Sequence, residues 1–143
     1  DEAFINRALN ECLLNILQFH GDETPEDCAR YPIMTLKAFR VQGPETLEQM
    51  KDYSTAGFLL DAYTKEARGG TGEKFNWDLA LQAQQYRKPV FLAGGLTPDN
   101  VAEAVRKVEP FGVDVSSGVE SEPGKKDPEK MVAFVKAAKN ALG

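Results

Sequence analysis

Apolar positions fall along this chain in two alternating rhythms. Phe58-Leu59-Leu60 and Val90-Phe91-Leu92-Ala93 are short unbroken apolar runs, the pattern of parallel strands buried on both faces. Asn15–Phe19, Thr35–Arg40 and Phe111–Val115 read as three more strands. Between them the spacing turns helical. Phe4, Ile5, Ala8, Leu9 and Cys12 share a stripe over residues 3–13. Val101, Ala104, Val105 and Val108 share one face after Thr97-Pro98-Asp99. Met131, Phe134, Val135 and Ala138 are expected to point inward on a helix opened by Asp127-Pro128-Glu129. Other starts are equally marked. Thr24-Pro25-Glu26-Asp27 supplies a hydroxyl cap, a first-turn proline and acids facing the positive end of the dipole. Gly43-Pro44-Glu45 opens a helix reaching about Asp52, and Asn76 is expected to cap one running to about Tyr86.

Strands thus alternate with helices about five times, and no hairpin signal interrupts them. Such alternation predicts an α/β fold of parallel strands joined by right-handed crossovers. A doubly wound sheet and a closed barrel fit it equally. No linker or low-complexity stretch divides the chain, so one domain over residues 1–143 is expected.

Composition narrows the function. A chain of 143 residues with 42% hydrophobic and 27% charged residues has room for one real core. A net charge of -5 argues against nucleic-acid or membrane-surface partners. An anionic small ligand would then need local dipoles rather than a basic surface. Cys12 and Cys28 form no CxxC pair, which offers neither a disulfide framework nor a metal site and suits a reducing cytoplasm, the expected location. No apolar run approaches the roughly 20 residues of a membrane helix. The acidic start, Asp1-Glu2-Ala3-Phe4, lacks both a signal-peptide layout and an initiator Met, so a processed or truncated piece is expected.

The candidate chemistry gathers at strand exits. Asp61 closes the Phe58-Leu59-Leu60 run, where partial burial would raise its pKa and suit it to proton transfer. Its bland alternative is a turn cap or an ion pair with Lys37 or Arg40. Gly94-Gly95 and Ser116-Ser117-Gly118 follow the next two strands. Glycines let backbone N–H groups approach an anion, serines add donors, and a short helix near Ser117 would add its positive end. The alternative is two tight strand-to-helix turns. Gly69-Gly70-Thr71-Gly72 matches neither a dinucleotide fingerprint nor a P-loop, and is either a lid or a plain connection. His20, the lone histidine, is a packed residue or a substrate contact. Lys37 and Arg40 lie on opposite faces of one strand, and either could meet a ligand carboxylate. Asp114, inside an apolar strand, is expected to be hydrogen-bonded and structural.

Several ordered blocks carry a resemblance. Gln18-Phe19-His20-Gly21-Asp22, Lys37-Ala38-Phe39-Arg40-Val41, Gly69 through Trp77, Leu92-Ala93-Gly94-Gly95-Leu96, Val113 through Glu120 and Pro123-Gly124-Lys125-Lys126-Asp127 resemble phosphoribosylanthranilate isomerase. The resemblance spans essentially the whole chain. It implies a (βα)8 TIM barrel, of which only about the last five units, strands four to eight, are present. It implies an Amadori rearrangement in tryptophan biosynthesis, with no cofactor and no metal. Asp61 matches the general acid that protonates the ring oxygen, after which a base removes the proton beside the imine carbon. Gly94, Gly95, Ser116, Ser117 and Gly118 match the phosphate loops, and His20, Arg40, Gly70, Thr71 and Gly72 are candidate substrate contacts. The family's base, a cysteine in a Lys-x-Cys-Gly segment, has no counterpart here, nor has an arginine of the second βα unit assigned to the anthranilate carboxylate. Cys12 and Cys28 lie on helices and do not substitute. In the loop, Glu73-Lys74 replaces a more usual Lys-Thr pair. The expectation is a chain inactive by itself, partnered by a complementary N-terminal segment or a second copy. Another phosphate-binding barrel and a non-catalytic half-barrel are the alternatives.

Overall fold

The computed structural model describes residues 1–64, 74–75 and 77–143. Its centre is a five-stranded parallel sheet: β1 (Ile16–Phe19), β2 (Met34–Arg40), β3 (Gly57–Asp61), β6 (Val90–Ala93) and β7 (Gly112–Val113). The intervening β4 (Tyr63–Thr64) and β5 (Lys74–Phe75) form a separate antiparallel pair, as do β8 (Glu120–Glu122) and β9 (Lys125–Lys126). The helices are α1 (Glu2–Glu11), α2 (Pro25–Ala29), α3 (Pro44–Met50), α4 (Trp77–Ala83), α5 (Val101–Val108) and α6 (Pro128–Lys139). Sheet order is β1-β2-β3-β6-β7, so each strand pairs with the one before it in the chain. A doubly wound sheet reverses at a switch point. This one winds in a single direction, which removes the doubly wound alternative.

Single winding puts the helices on one face. Phe58 and Leu60 of β3 and Leu92 of β6 are fully buried against Met50, Trp77, Val101 and Val108 of α3, α4 and α5. Phe39, Phe58, Tyr53 and Tyr86 continue this core as a run of edge-to-face rings. The hydroxyl cap expected at Thr24 is present and is one half of a capping box: Asp27 N–H donates to Thr24 Oγ1 and Thr24 N–H to the Asp27 carboxylate. The α5 stripe buries all four expected residues.

Three expectations are corrected. The two small antiparallel pairs were not foreseen. Met131 and Val135 are about half exposed, since α6 is anchored to the core through Phe134. The strand expected over Phe111–Val115 has only Gly112 and Val113 in regular pairing. Asp114 therefore stands beyond the strand, exposed, with its backbone N–H on Leu92 O and no side-chain hydrogen bond among the described residues.

Candidate functional site

A cleft of about 830 Å³ lies at the carboxyl ends of the strands and extends over Thr46 and Gln49 of α3 and Tyr53. On β2, the buried Thr35, Lys37 and Phe39 alternate with Ala38 and Arg40. Lys37, Ala38, Phe39 and Arg40 all border the cleft. On β3, Phe58 and Leu60 enter the core, while Leu59 and Asp61 line the cleft. The register pairs Arg40 with Asp61 and Asp61 with Ala93, so these positions stand in one row along the rim. His20, just beyond β1, borders the same space.

The glycine and serine loops complete it. Gly94 and Gly95 adopt φ of 89° and 62°, a backbone that side-chain-bearing residues resist. Ser116 leads into a single 3-10 turn over Ser117–Val119. The two loops touch: a methyl group added at Gly118 would lie 1.8 Å from Leu96 O. Gly94, Gly95, Ser116, Ser117 and Gly118 all border the cleft that Asp61 borders. The structure thus gathers Asp61, Arg40, His20 and both loops on one rim. Gly70, Thr71, Gly72 and Asn76 lie outside the described residues.

Two networks hold the rim in shape, and neither follows from spacing. Lys37 is 3% exposed, and its Nζ donates to Gly21 O at 2.6 Å and to Glu23 Oε2 at 3.1 Å. Tyr53 Oη donates to Glu23 O, and Gly21 N–H donates to the Glu23 carboxylate. Burial alone would raise the Glu23 pKa, but hydrogen bonds from its own N–H, from Lys37 and from Gly21 hold it below the ordinary value. This clamp fixes the segment that follows His20. Lys37 therefore pairs with Glu23 rather than with Asp61. On the far side, Lys126 Nζ donates to Ser116 O at 2.9 Å, to Ser116 Oγ at 3.3 Å and to Glu120 Oε1 at 2.7 Å. The Lys126 contact holds the Glu120 carboxyl below its ordinary range. Lys126 reaches Ser116 because β8 and β9 fold back through Pro123-Gly124, with Gly124 at φ 81°. A Pro-Gly pair between short polar runs is the signal that would have revealed this hairpin.

Cys12 is exposed at the end of α1, and Cys28 is buried on α2; neither lines the cleft. Burial pushes the Cys28 thiol pKa up, away from a reactive thiolate. Among the described residues no group of three or more His, Cys, Asp or Glu converges as a metal site would require, and no helix is long and apolar enough to cross a membrane.

Residues 1–137 match the family model for N-(5'-phosphoribosyl)anthranilate (PRA) isomerase. The N-(5'-phosphoribosyl)anthranilate isomerase of Geotalea uraniireducens is 54% identical over 136 residues, covering 95% of this chain and 66% of that protein. The enzyme of the same name from Geobacter sulfurreducens is 50% identical over 137 residues, with 96% and 67% covered. The crystal structure of phosphoribosyl anthranilate isomerase from Thermotoga maritima superposes with a TM-score of 0.83 at 40% identity, covering 96% of this chain and 67% of that one. A further such isomerase, in complex with reduced 1-(o-carboxyphenylamino)-1-deoxyribulose 5-phosphate, gives a TM-score of 0.80 at 36% identity, with 96% and 66% covered. The chain spans about two thirds of the length of the curated relatives it matches.

Proposed function

The chain belongs to the N-(5'-phosphoribosyl)anthranilate isomerase family, and from that premise we propose that it is the portion of such an enzyme that holds the sugar phosphate and delivers a proton to it. The substrate phosphate sits against the backbone amides of Gly94–Gly95 and Ser116–Gly118 and the Ser117 hydroxyl. These are local dipoles, which is how a chain of net charge -5 attracts an anion. Asp61 gives its proton to the ring oxygen of the phosphoribosylamine. The bond from that oxygen to the anomeric carbon breaks, and the nitrogen lone pair forms the imine. A base then takes the proton from the neighbouring carbon and leaves the enolamine, which tautomerises to the ketose. Neither cysteine supplies that base, since Cys12 and Cys28 do not border the cleft. The base belongs to a segment of the Lys-x-Cys-Gly kind.

The fold reading carries the same consequence. The five parallel strands are five of eight barrel strands. Ile16 and Met34 lie in register at the β1 side, and Met131, Val132 and Val135 lie on α6 beside β7. Their exposed apolar side chains are the surfaces that three further βα units would cover.

One observation carries this reading: Asp61 and both loops line one cleft at one end of the sheet. Calorimetric titration of the chain with reduced 1-(o-carboxyphenylamino)-1-deoxyribulose 5-phosphate tests it. Binding is expected, weakened about tenfold in Ser117→Ala through loss of a hydrogen bond to an anion, and preserved in Asp61→Asn. Turnover is expected only when a polypeptide carrying a Lys-x-Cys-Gly strand is added, and Asp61→Asn abolishes it. Absence of binding, or turnover that survives Asp61→Asn, contradicts the proposal.

A further inference from the structure

Lys126 ends β9 and does not border the cleft. A lysine ammonium has three N–H donors, and three acceptors take them here: Ser116 O at 2.9 Å, Ser116 Oγ at 3.3 Å and Glu120 Oε1 at 2.7 Å. Its donors are thus spent within the protein. Glu120 is its register partner across the hairpin. Lys130 Nζ of α6 donates to Glu120 O at 2.6 Å, and Asp127 N–H donates to Val119 O at 2.8 Å. The hairpin, the start of α6 and the turn after Ser116 are tied together by these bonds.

In a trans peptide group the C=O and the following N–H point in opposite directions. Lys126 holds Ser116 O from the hairpin side, so the Ser117 N–H points away from the hairpin. Ser116, Ser117 and Gly118 border the cleft, whereas Lys126 stands behind them. The other donor to Ser116 O is Val119 N–H at 3.4 Å, longer than an ordinary N–H···O bond. Lys126 is therefore the stronger hold on this peptide. Its contact with Ser116 Oγ also leaves that hydroxyl its own O–H to donate. Resting on the phosphate reading above, we propose that Lys126 is a positioning residue for phosphate recognition. It touches no ligand, and it sets the Ser116–Ser117 peptide so that the amides after β7 meet the anion. The competing role is attraction by charge at a distance, which the Glu120 carboxylate beside it opposes. The two roles differ in sign. Removing Glu120 strengthens phosphate binding under charge attraction and weakens it under positioning, because Lys126 loses its anchor.

Calorimetric titration compares reduced 1-(o-carboxyphenylamino)-1-deoxyribulose 5-phosphate with its dephosphorylated counterpart on the chain, Lys126→Met, Lys126→Arg and Glu120→Ala. The chain is expected to favour the phosphorylated probe. Lys126→Met cuts that preference about tenfold, the size of one hydrogen bond to an anion, and binds the dephosphorylated probe as before. Lys126→Arg recovers most of the preference, and Glu120→Ala lowers it. A preference unchanged in Lys126→Met, a loss shared equally by both probes, or a preference that rises in Glu120→Ala overturns the proposal and leaves the phosphate reading standing. A chain that binds both probes equally, or neither, sinks the phosphate reading and this proposal with it.

Discussion

The Lys37 ammonium is held almost out of water, where it donates to Gly21 O and to the Glu23 carboxylate. Lys37→Met keeps the aliphatic packing against Phe39 and Tyr53 but leaves Glu23 without its cation. Glu23 is about one-third exposed, so water recovers part of the loss, and an unfolding cost of about 2 kcal/mol is expected in urea titrations. The pH dependence has a definite sign. Glu23 has a folded pKa below its ordinary 4.5. A depressed carboxylate contributes stability that is complete above the unfolded value and is lost as pH falls through the folded one. Stability should therefore decline on the acid side of pH 4.5. Lys37→Met should flatten that decline, because one source of the depression has gone.

At the scale of elements, the site depends on two loops that approach more closely than side chains allow. Gly118→Ala places a methyl group 1.8 Å from Leu96 O, so the loops after β6 and β7 must part. The expected outcome is a stability loss of about 2 kcal/mol, the size of an overpacked contact. Phosphate affinity should fall with it, read by calorimetry against inorganic phosphate. Such closeness is visible only in three dimensions, whereas the elements themselves were largely legible. The α5 stripe could be read because four of its eight residues recur on one buried face. The β3 and β6 runs could be read because parallel strands are apolar throughout. The β4, β5, β8 and β9 strands are two or three residues long, too short to show a period. Met131 and Val135 were misread because an amphipathic pattern reports a face, while what covers that face lies elsewhere in the fold. Asp61 and the glycine and serine loops were legible as strand exits, and all border one cleft. The Lys37–Glu23 clamp and the Lys126–Ser116 contact join residues 14 and 10 apart through tertiary folding, and spacing does not encode them.

Among the described residues the five-stranded sheet ends at two edges, β1 and β7, and Ile16, Met34 and Phe111 expose apolar side chains near them. Unpaired parallel edges of this kind recruit further strands or other copies. Concentration-dependent association is therefore expected in sedimentation velocity. Ile16→Lys, which puts a charge on the β1 edge, should shift the chain toward monomer. The proposed chemistry requires all parts of the rim to meet one ligand, with the phosphate on the amides of two loops and the Asp61 carboxylate against the sugar. Amide chemical-shift mapping of the chain with reduced 1-(o-carboxyphenylamino)-1-deoxyribulose 5-phosphate measures this directly. The account predicts the largest shifts at Gly95, Ser117 and Gly118, with Asp61 and Ala62 moving in the same titration. Shifts confined to residues outside this rim, or movement of the loops without Asp61, would contradict it.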